Sequence, residues 1–209
     1  MVTSRVKEGF ALIEVLIVIA LLALITVLSG IVVPKYINKA FDARRKTDLY
    51  KLRNYLEVYF DNAGDYPKKL PDCGQPFMYN NLTILNAMFC DPVTRKPYAY
   101  QTKGENWQSY RLYTVLSDSQ DISISDVGCL GGCGPDCSYN YGVSSPNIGL
   151  IRCSYVCAPG GGSTGVCELY QNPDISLCPR LYGQDSTCKN ECSSPKNKCK
   201  NASGKYVPY

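Results

Sequence analysis

The sequence predicts an α+β protein: a long N-terminal helix, transmembrane in its first half, packed on a small antiparallel sheet and followed by a disulfide-rich C-terminal extension. Three observations predict it. Residues Phe10 to Val33 hold a single charged side chain, Glu14, and Val15 to Ile25 is unbroken aliphatic sequence. Leucines and aromatics then recur at spacings of three and four, and beyond Tyr98 the pattern changes to alternation. From Cys129 to Tyr209 there are ten Cys in 81 residues, whereas 34–128 hold only Cys73 and Cys90.

The apolar segment is 24 residues long, about 36 Å as a helix, enough to cross a hydrocarbon core of about 30 Å with some tilt. It exceeds the 7–15-residue apolar region of a cleaved secretory signal, and no small-residue cleavage site follows it. Hydropathy alone also fits a plain signal anchor. Glu14 separates these readings. An ionised carboxylate inside hydrocarbon costs a few kcal/mol or more, so it needs a partner or a role. It lies one helical turn after Phe10, and Gly9–Phe10 follows a short polar leader carrying Arg5 and Lys7. A cut after Gly9 would create an α-amino group near Glu14, and a neighbouring subunit's amine could neutralise it equally.

Between Lys35 and about Asn62, Leu49, Leu52, Leu56 and Tyr59/Phe60 form an amphipathic stripe, with Asp42, Arg44, Arg45, Lys46, Asp48, Lys51 and Arg53 mostly elsewhere. Pro34 is placed to kink or open one long helix. Gly64 ends that helix and Pro67 prevents its resumption. Residues 65–96 read as a loop region with one short apolar run, Leu82–Phe89, flanked by Cys73 and Cys90, which are expected to pair. Tyr98–Thr102 and Gln108–Leu116 read as an antiparallel hairpin, and Ile122 with Ile124 as the start of a further short strand.

The composition narrows the function. With no His among 209 residues, His-based triads, Cys–His nucleophile pairs and His-containing zinc sites are excluded. The net charge of +4, without any long basic run, does not imply nucleic acid. No nucleophile–base pair or phosphate loop is visible, so the chain does not read as an enzyme. In the extension, Cys129, Cys133, Cys137, Cys153, Cys157, Cys167, Cys178, Cys188, Cys192 and Cys199 repeatedly show x3 spacing and never the Cys-x2-Cys of zinc sites. Disulfides in an oxidising compartment are expected, with pairing open. The same segment has only twelve Ile, Leu, Val, Met or Phe residues, too few for much of an apolar core.

Gly9-Phe10-Ala11-Leu12-Ile13-Glu14 resembles the prepilin processing site of type IV pilins and type II secretion pseudopilins. The resemblance covers about residues 5–118 and, over Asp61–Pro67 and Asp91–Tyr100, is closest to the major pseudopilin; 129–209 have no counterpart in it. It implies cleavage after Gly9, N-methylation of Phe10 and a role for Glu14 in assembly. It also implies a calcium loop at Asp118, Asp121 and Asp126, for which a solvated acidic loop is the competing reading. Its partners would be identical or related pilin subunits, the prepilin peptidase and an inner-membrane assembly platform.

On this reading 1–9 is the leader, 10–62 the long helix with a transmembrane span at 10–33, 63–128 the sheet domain and 129–209 the Cys-rich extension. The expected function is a structural pilus or pseudopilus subunit. The alternative is a membrane-anchored or filament-tip binding module that uses the extension. Two positive charges precede the span (Arg5, Lys7) and five follow it (Lys35, Lys39, Arg44, Arg45, Lys46), which by itself would place the C-terminal part inside. The processing motif and the Cys content argue for the reverse, a single-pass protein with its C-terminal part extracytoplasmic.

Overall fold

Helix α1 runs from Leu12 to Ala63, and Pro34 lies within it without ending it. The computed structural model describes residues 12–103, 107–158, 166–173, 178, 180–192 and 199, with the backbone alone for 27–35, 103 and 158. It divides into two units, Met1–Ala40 and Phe41–Tyr209. The span expected at 10–33 lies partly outside the described residues. Among those described, no helix is long and apolar enough to cross a membrane.

In the second unit the helical stripe behaves as its spacing requires. Leu49, Leu52 and Leu56 are almost fully buried. Gly64 closes the helix with φ +80° and its N–H bonded to the Phe60 carbonyl at 2.8 Å. A side chain there would be strained, so glycine terminates the helix where the sequence placed its end.

The seven strands among the described residues form three small antiparallel sheets. Strands β1 (Phe77–Tyr79) and β2 (Leu82–Leu85) make a hairpin. Strands β3 (Ala99–Lys103), β4 (Ser109–Thr114) and β5 (Tyr141–Ser144) make a three-stranded sheet with β4 at its centre. Strands β6 (Cys153–Ala158) and β7 (Val166–Gln171) make a second hairpin. Helices α2 (Ile122–Asp126) and α3 (Asp185–Glu191) complete the described elements.

The β3–β4 hairpin is present as expected, with Ala99 opposite Tyr113 and Lys103 opposite Ser109. Two expectations are corrected. The stretch read as a loop contains β1–β2, joined by the two-residue turn Asn80–Asn81 in which Asn80 takes φ +50°; asparagine tolerates that conformation, and tight hairpins need it. Ile122 and Ile124 lie in α2, not in a strand. Asp121 caps that helix by accepting from the Ser123 N–H at 2.9 Å, and the cap outweighs a two-residue alternation.

One core joins these parts. Tyr98, Tyr110, Leu112, Leu116 and Ile124 pack with the α1 leucines, and Cys129, Cys133, Tyr141 and Val143 belong to the same cluster. Tyr113 stacks on Tyr139 at 5.4 Å, and its hydroxyl accepts from the Ile151 N–H. The sheet therefore crosses the 128/129 division: β5, and the covering of Tyr113, come from beyond Cys129.

A buried ionic clamp fastens α1 to two loops. The Arg45 guanidinium, 4% exposed, donates to Asp91 at 2.6 Å, to Asp42 at 2.7 Å and to the Ser117 hydroxyl at 2.9 Å. Asp42 also accepts the backbone N–H groups of Ser117 and Asp118, and Asp91 those of Val93 and Thr94. Nearby, the Tyr98 hydroxyl donates to Asp48 at 2.9 Å. Burial pulls the Asp91 carboxyl upward, but the Arg45 hydrogen bond and the two backbone donors outweigh it and hold it down at about 2.

Because that value lies below the ordinary 3.8, the contribution to stability is complete above about pH 4 and is lost as the pH falls through about 2. At about 1.4 kcal/mol per unit, it amounts to about 2 kcal/mol. Denaturant unfolding followed by the fluorescence of the single Trp, Trp107, should show stability falling over that window. Asp91→Asn should cost about 1.5–3 kcal/mol at neutral pH, because it removes a charge-assisted hydrogen bond to Arg45 while Asp42 still pairs it, and should flatten the acid dependence.

Candidate functional site

Two parts of the molecule carry the residues singled out by the sequence. The first is the start of α1. Gly9 and Phe10 lie outside the described residues. Glu14 stands in the first helical turn, where the helix dipole favours a negative charge. Every described side chain from Leu12 to Thr26 is exposed, Leu12 to 79% and Ile13 to 66%. Nine further aliphatic residues, from Val15 to Ile25, stand about half exposed around the helix. Continuous apolar surface on this scale is what lipid or another protein covers. One carboxylate at its edge makes it polar at a single level.

The second part is the acidic loop after β4. The structure does not gather Asp118, Asp121 and Asp126 around one point. Asp121 caps α2 and receives the Lys46 ammonium at 2.7 Å and the Ser123 hydroxyl at 2.6 Å. Burial raises its carboxyl, yet the Lys46 and Ser123 hydrogen bonds prevail and lower it to about 2. Asp118 accepts from the Gln120 N–H at 3.0 Å and gives its own N–H to Asp42. Asp126 is exposed at the end of α2. Lys46 from α1 thus supplies the positive charge that Asp121 faces.

The cysteines are paired. Cys73–Cys90 is bridged, as expected, and the others are Cys129–Cys133, Cys137–Cys153, Cys157–Cys192, Cys167–Cys188 and Cys178–Cys199. Among the described residues, the one group of metal-ligating atoms close enough to share an ion is Cys157, Cys167, Cys188 and Cys192, whose sulfurs lie within 4.8 Å of one another. Cys157 and Cys167 face each other across β6–β7, while Cys188 and Cys192 stand one turn apart at the end of α3. Four thiolates so placed suit tetrahedral zinc. Bridged as two disulfides, they offer no thiolate.

Sequence reasoning registered the Cys188-x3-Cys192 spacing but missed the hairpin that brings the other two sulfurs to it. The signal was the β-branched and aromatic content of Cys153–Val156 and Val166–Tyr170.

Replacing Asp121 by Ala removes the cap and the Lys46 pair together. Thermal unfolding should show a loss of about 1–2 kcal/mol, with an unchanged midpoint on adding a calcium chelator to the parent chain, since Lys46 already neutralises this carboxylate. A chelator-induced drop would place a cation in the loop. No protein-family model, characterised protein or solved structure matches this chain.

Proposed function

We propose that this chain is a structural subunit of a type IV pilus or type II secretion pseudopilus, assembled from the membrane after its leader is removed. The observation that supports this reading is the exposed aliphatic start of α1 with Glu14 at its first turn, immediately beyond Gly9–Phe10. In the membrane, lipid covers the aliphatic surface. In the filament, the helices of neighbouring subunits do.

Glu14 sets the register between them. Cleavage after Gly9 by the prepilin peptidase frees the Phe10 amine, which is then methylated and remains cationic. The carboxylate of one subunit and the amine of the next neutralise each other at a depth where either alone is costly. Misregistered subunits leave both unpaired, so the pair selects one axial stagger. The inner-membrane platform lifts subunits out of lipid as they join.

The location follows from the chemistry. Six disulfides belong in an oxidising compartment, with the body extracytoplasmic and the chain single-pass until assembled. The acidic loop would then be a structural corner.

One observation favours a second reading, a membrane-anchored or filament-tip binding module. It is a cleft of about 680 Å³ between the sheet and the Cys-rich segment, a size suited to a small ligand.

Intact-mass measurement of the membrane-extracted protein should find a species beginning at methylated Phe10; retention of Met1 to Gly9 throughout would overturn the pilin reading. Glu14→Leu should leave processing and membrane insertion intact and abolish sheared surface or periplasmic filaments. Filaments of normal length and yield from that variant would remove Glu14 from assembly.

A further inference from the structure

The cleft is built where the sheet meets the stapled segment. Its walls come from β4, from Gly128–Leu130, from Gly149–Ser154, from Asn172–Pro173 and from Leu181–Gly183. Two arginines reach it from different walls. Arg111 on β4 donates from Nε to the Gly149 carbonyl at 2.6 Å, which fixes its stem. Arg152 is held by its backbone: its N–H donates to the Asn172 side chain at 2.8 Å, and its carbonyl accepts the Asn172 N–H at 2.6 Å.

Gly128 makes room for the Arg152 side chain. A Cβ at that position would stand 2.6 Å from Arg152 Cδ and 3.2 Å from its Nε, and the backbone there has φ +77°. The guanidinium therefore lies across a residue whose conformation and missing side chain both suit it.

The charges are unbalanced. Arg44, Arg45 and Arg180 each face a carboxylate. Among the described residues, Arg111 and Arg152 form no ion pair and no Asp or Glu lines the cleft. Two guanidinium groups on one cleft suit an oxyanion, because each presents a planar fork that matches two oxygens. The Gly149 bond holds Arg111 in place beforehand, which reduces the entropy lost on binding.

The rest of the lining is apolar. Leu130 is 59% exposed and Leu181 39% exposed, and Leu150 and Pro173 lie beside them. Leucines left open beside paired cations fit a ligand with an anionic end and an apolar body.

We propose that this cleft binds a small organic oxyanion, its phosphate, sulfate or carboxylate on Arg111 and Arg152 and its apolar part against Leu130 and Leu181. This gives the binding-module reading a ligand class and is independent of filament assembly. The extension is then a recognition element in either setting.

The test is a titration of the full chain in non-ionic detergent with phenyl phosphate, phenyl sulfate and benzoate, using inorganic phosphate and phenol as controls. At least one aryl oxyanion should bind saturably, one per chain and at least tenfold tighter than either control. The preferred probe identifies the oxyanion.

Arg152→Gln should weaken that binding at least tenfold, with Arg152→Lys falling between it and the parent. Leu181→Asp, at an exposed position, should abolish it by placing a carboxylate in the cleft. Near-UV circular dichroism confirms that each variant is folded. Unsaturable binding, or equal affinity in the parent and both the Arg152→Gln and Leu181→Asp variants, would overturn the proposal. Filament formation by those variants reports separately on the pilin reading.

Discussion

Arg45 orients the second unit, because among the described residues it is the side chain that joins α1 to both of the loops flanking the sheet. The 91–96 loop leads into β3, and residues 117–118 lead away from β4. Asp91 organises the first through two backbone N–H groups, and Asp42 organises the second in the same way. The guanidinium between them is what makes two local turns into one clamp. Burying three charges rarely stabilises a fold beyond what apolar residues of the same size would do. Their value here is directional. Leucines at 49, 52 and 56 would tolerate a helix rotated or shifted on the sheet, whereas a fork shared by two fixed carboxylates would not. Asp48, hydrogen-bonded to Tyr98, adds a second polar check one turn further along.

That clamp also holds the loop after β4. Asp42 fixes its start, and Asp121, paired with Lys46, fixes the beginning of α2. Both basic residues are neighbours on α1, so a single turn of helix supplies the cations that three carboxylates face. The acidic spacing that resembles a calcium loop is read differently once Arg45 and Lys46 are seen facing it. Only Asp126 points to no partner of its own among the described contacts.

How much of this was legible in the sequence depended on the range of each signal. The helix stripe and the β3–β4 hairpin are strictly local patterns of period 3.6 and 2, and the structure has both. The Gly64 stop is local too. The β1–β2 hairpin was hidden because its three- and four-residue strands are too short to show alternation, although Asn80–Asn81 marks the turn. Asp121 with Gly128 seven residues later was a readable cap and stop for α2, overridden by attention to two isoleucines. Strand β5 was not readable at all. Tyr141–Ser144 takes its place only because β4 has a free edge, and pairing Leu112 with Val143 is a contact 31 residues away in sequence. The two arginines of the cleft were equally silent, since nothing in sequence puts positions 111 and 152 on one cleft.

The cysteines divide along the same line between local and distant order. Cys129 and Cys133 sit in the main core beside Ile124 and Tyr141, so there the bridge adds to packing that exists anyway. Beyond Arg152 the balance reverses. The cluster around Tyr182 is made chiefly of half-cystines, and that around Val156 contains two more. Apolar burial on this scale cannot offset the ordering of β6, β7 and α3. Bridges closing separations of 35, 21 and 21 residues can, because each removes about 3–4 kcal/mol of freedom from the unfolded chain in the loop-entropy account. The Arg45 clamp involves no cysteine and survives reduction. The wall of the cleft that carries Tyr182 and Leu181 does not have that independence. The shape of the cleft is therefore coupled to oxidation of the staples, while the packing of the body on α1 depends on them less.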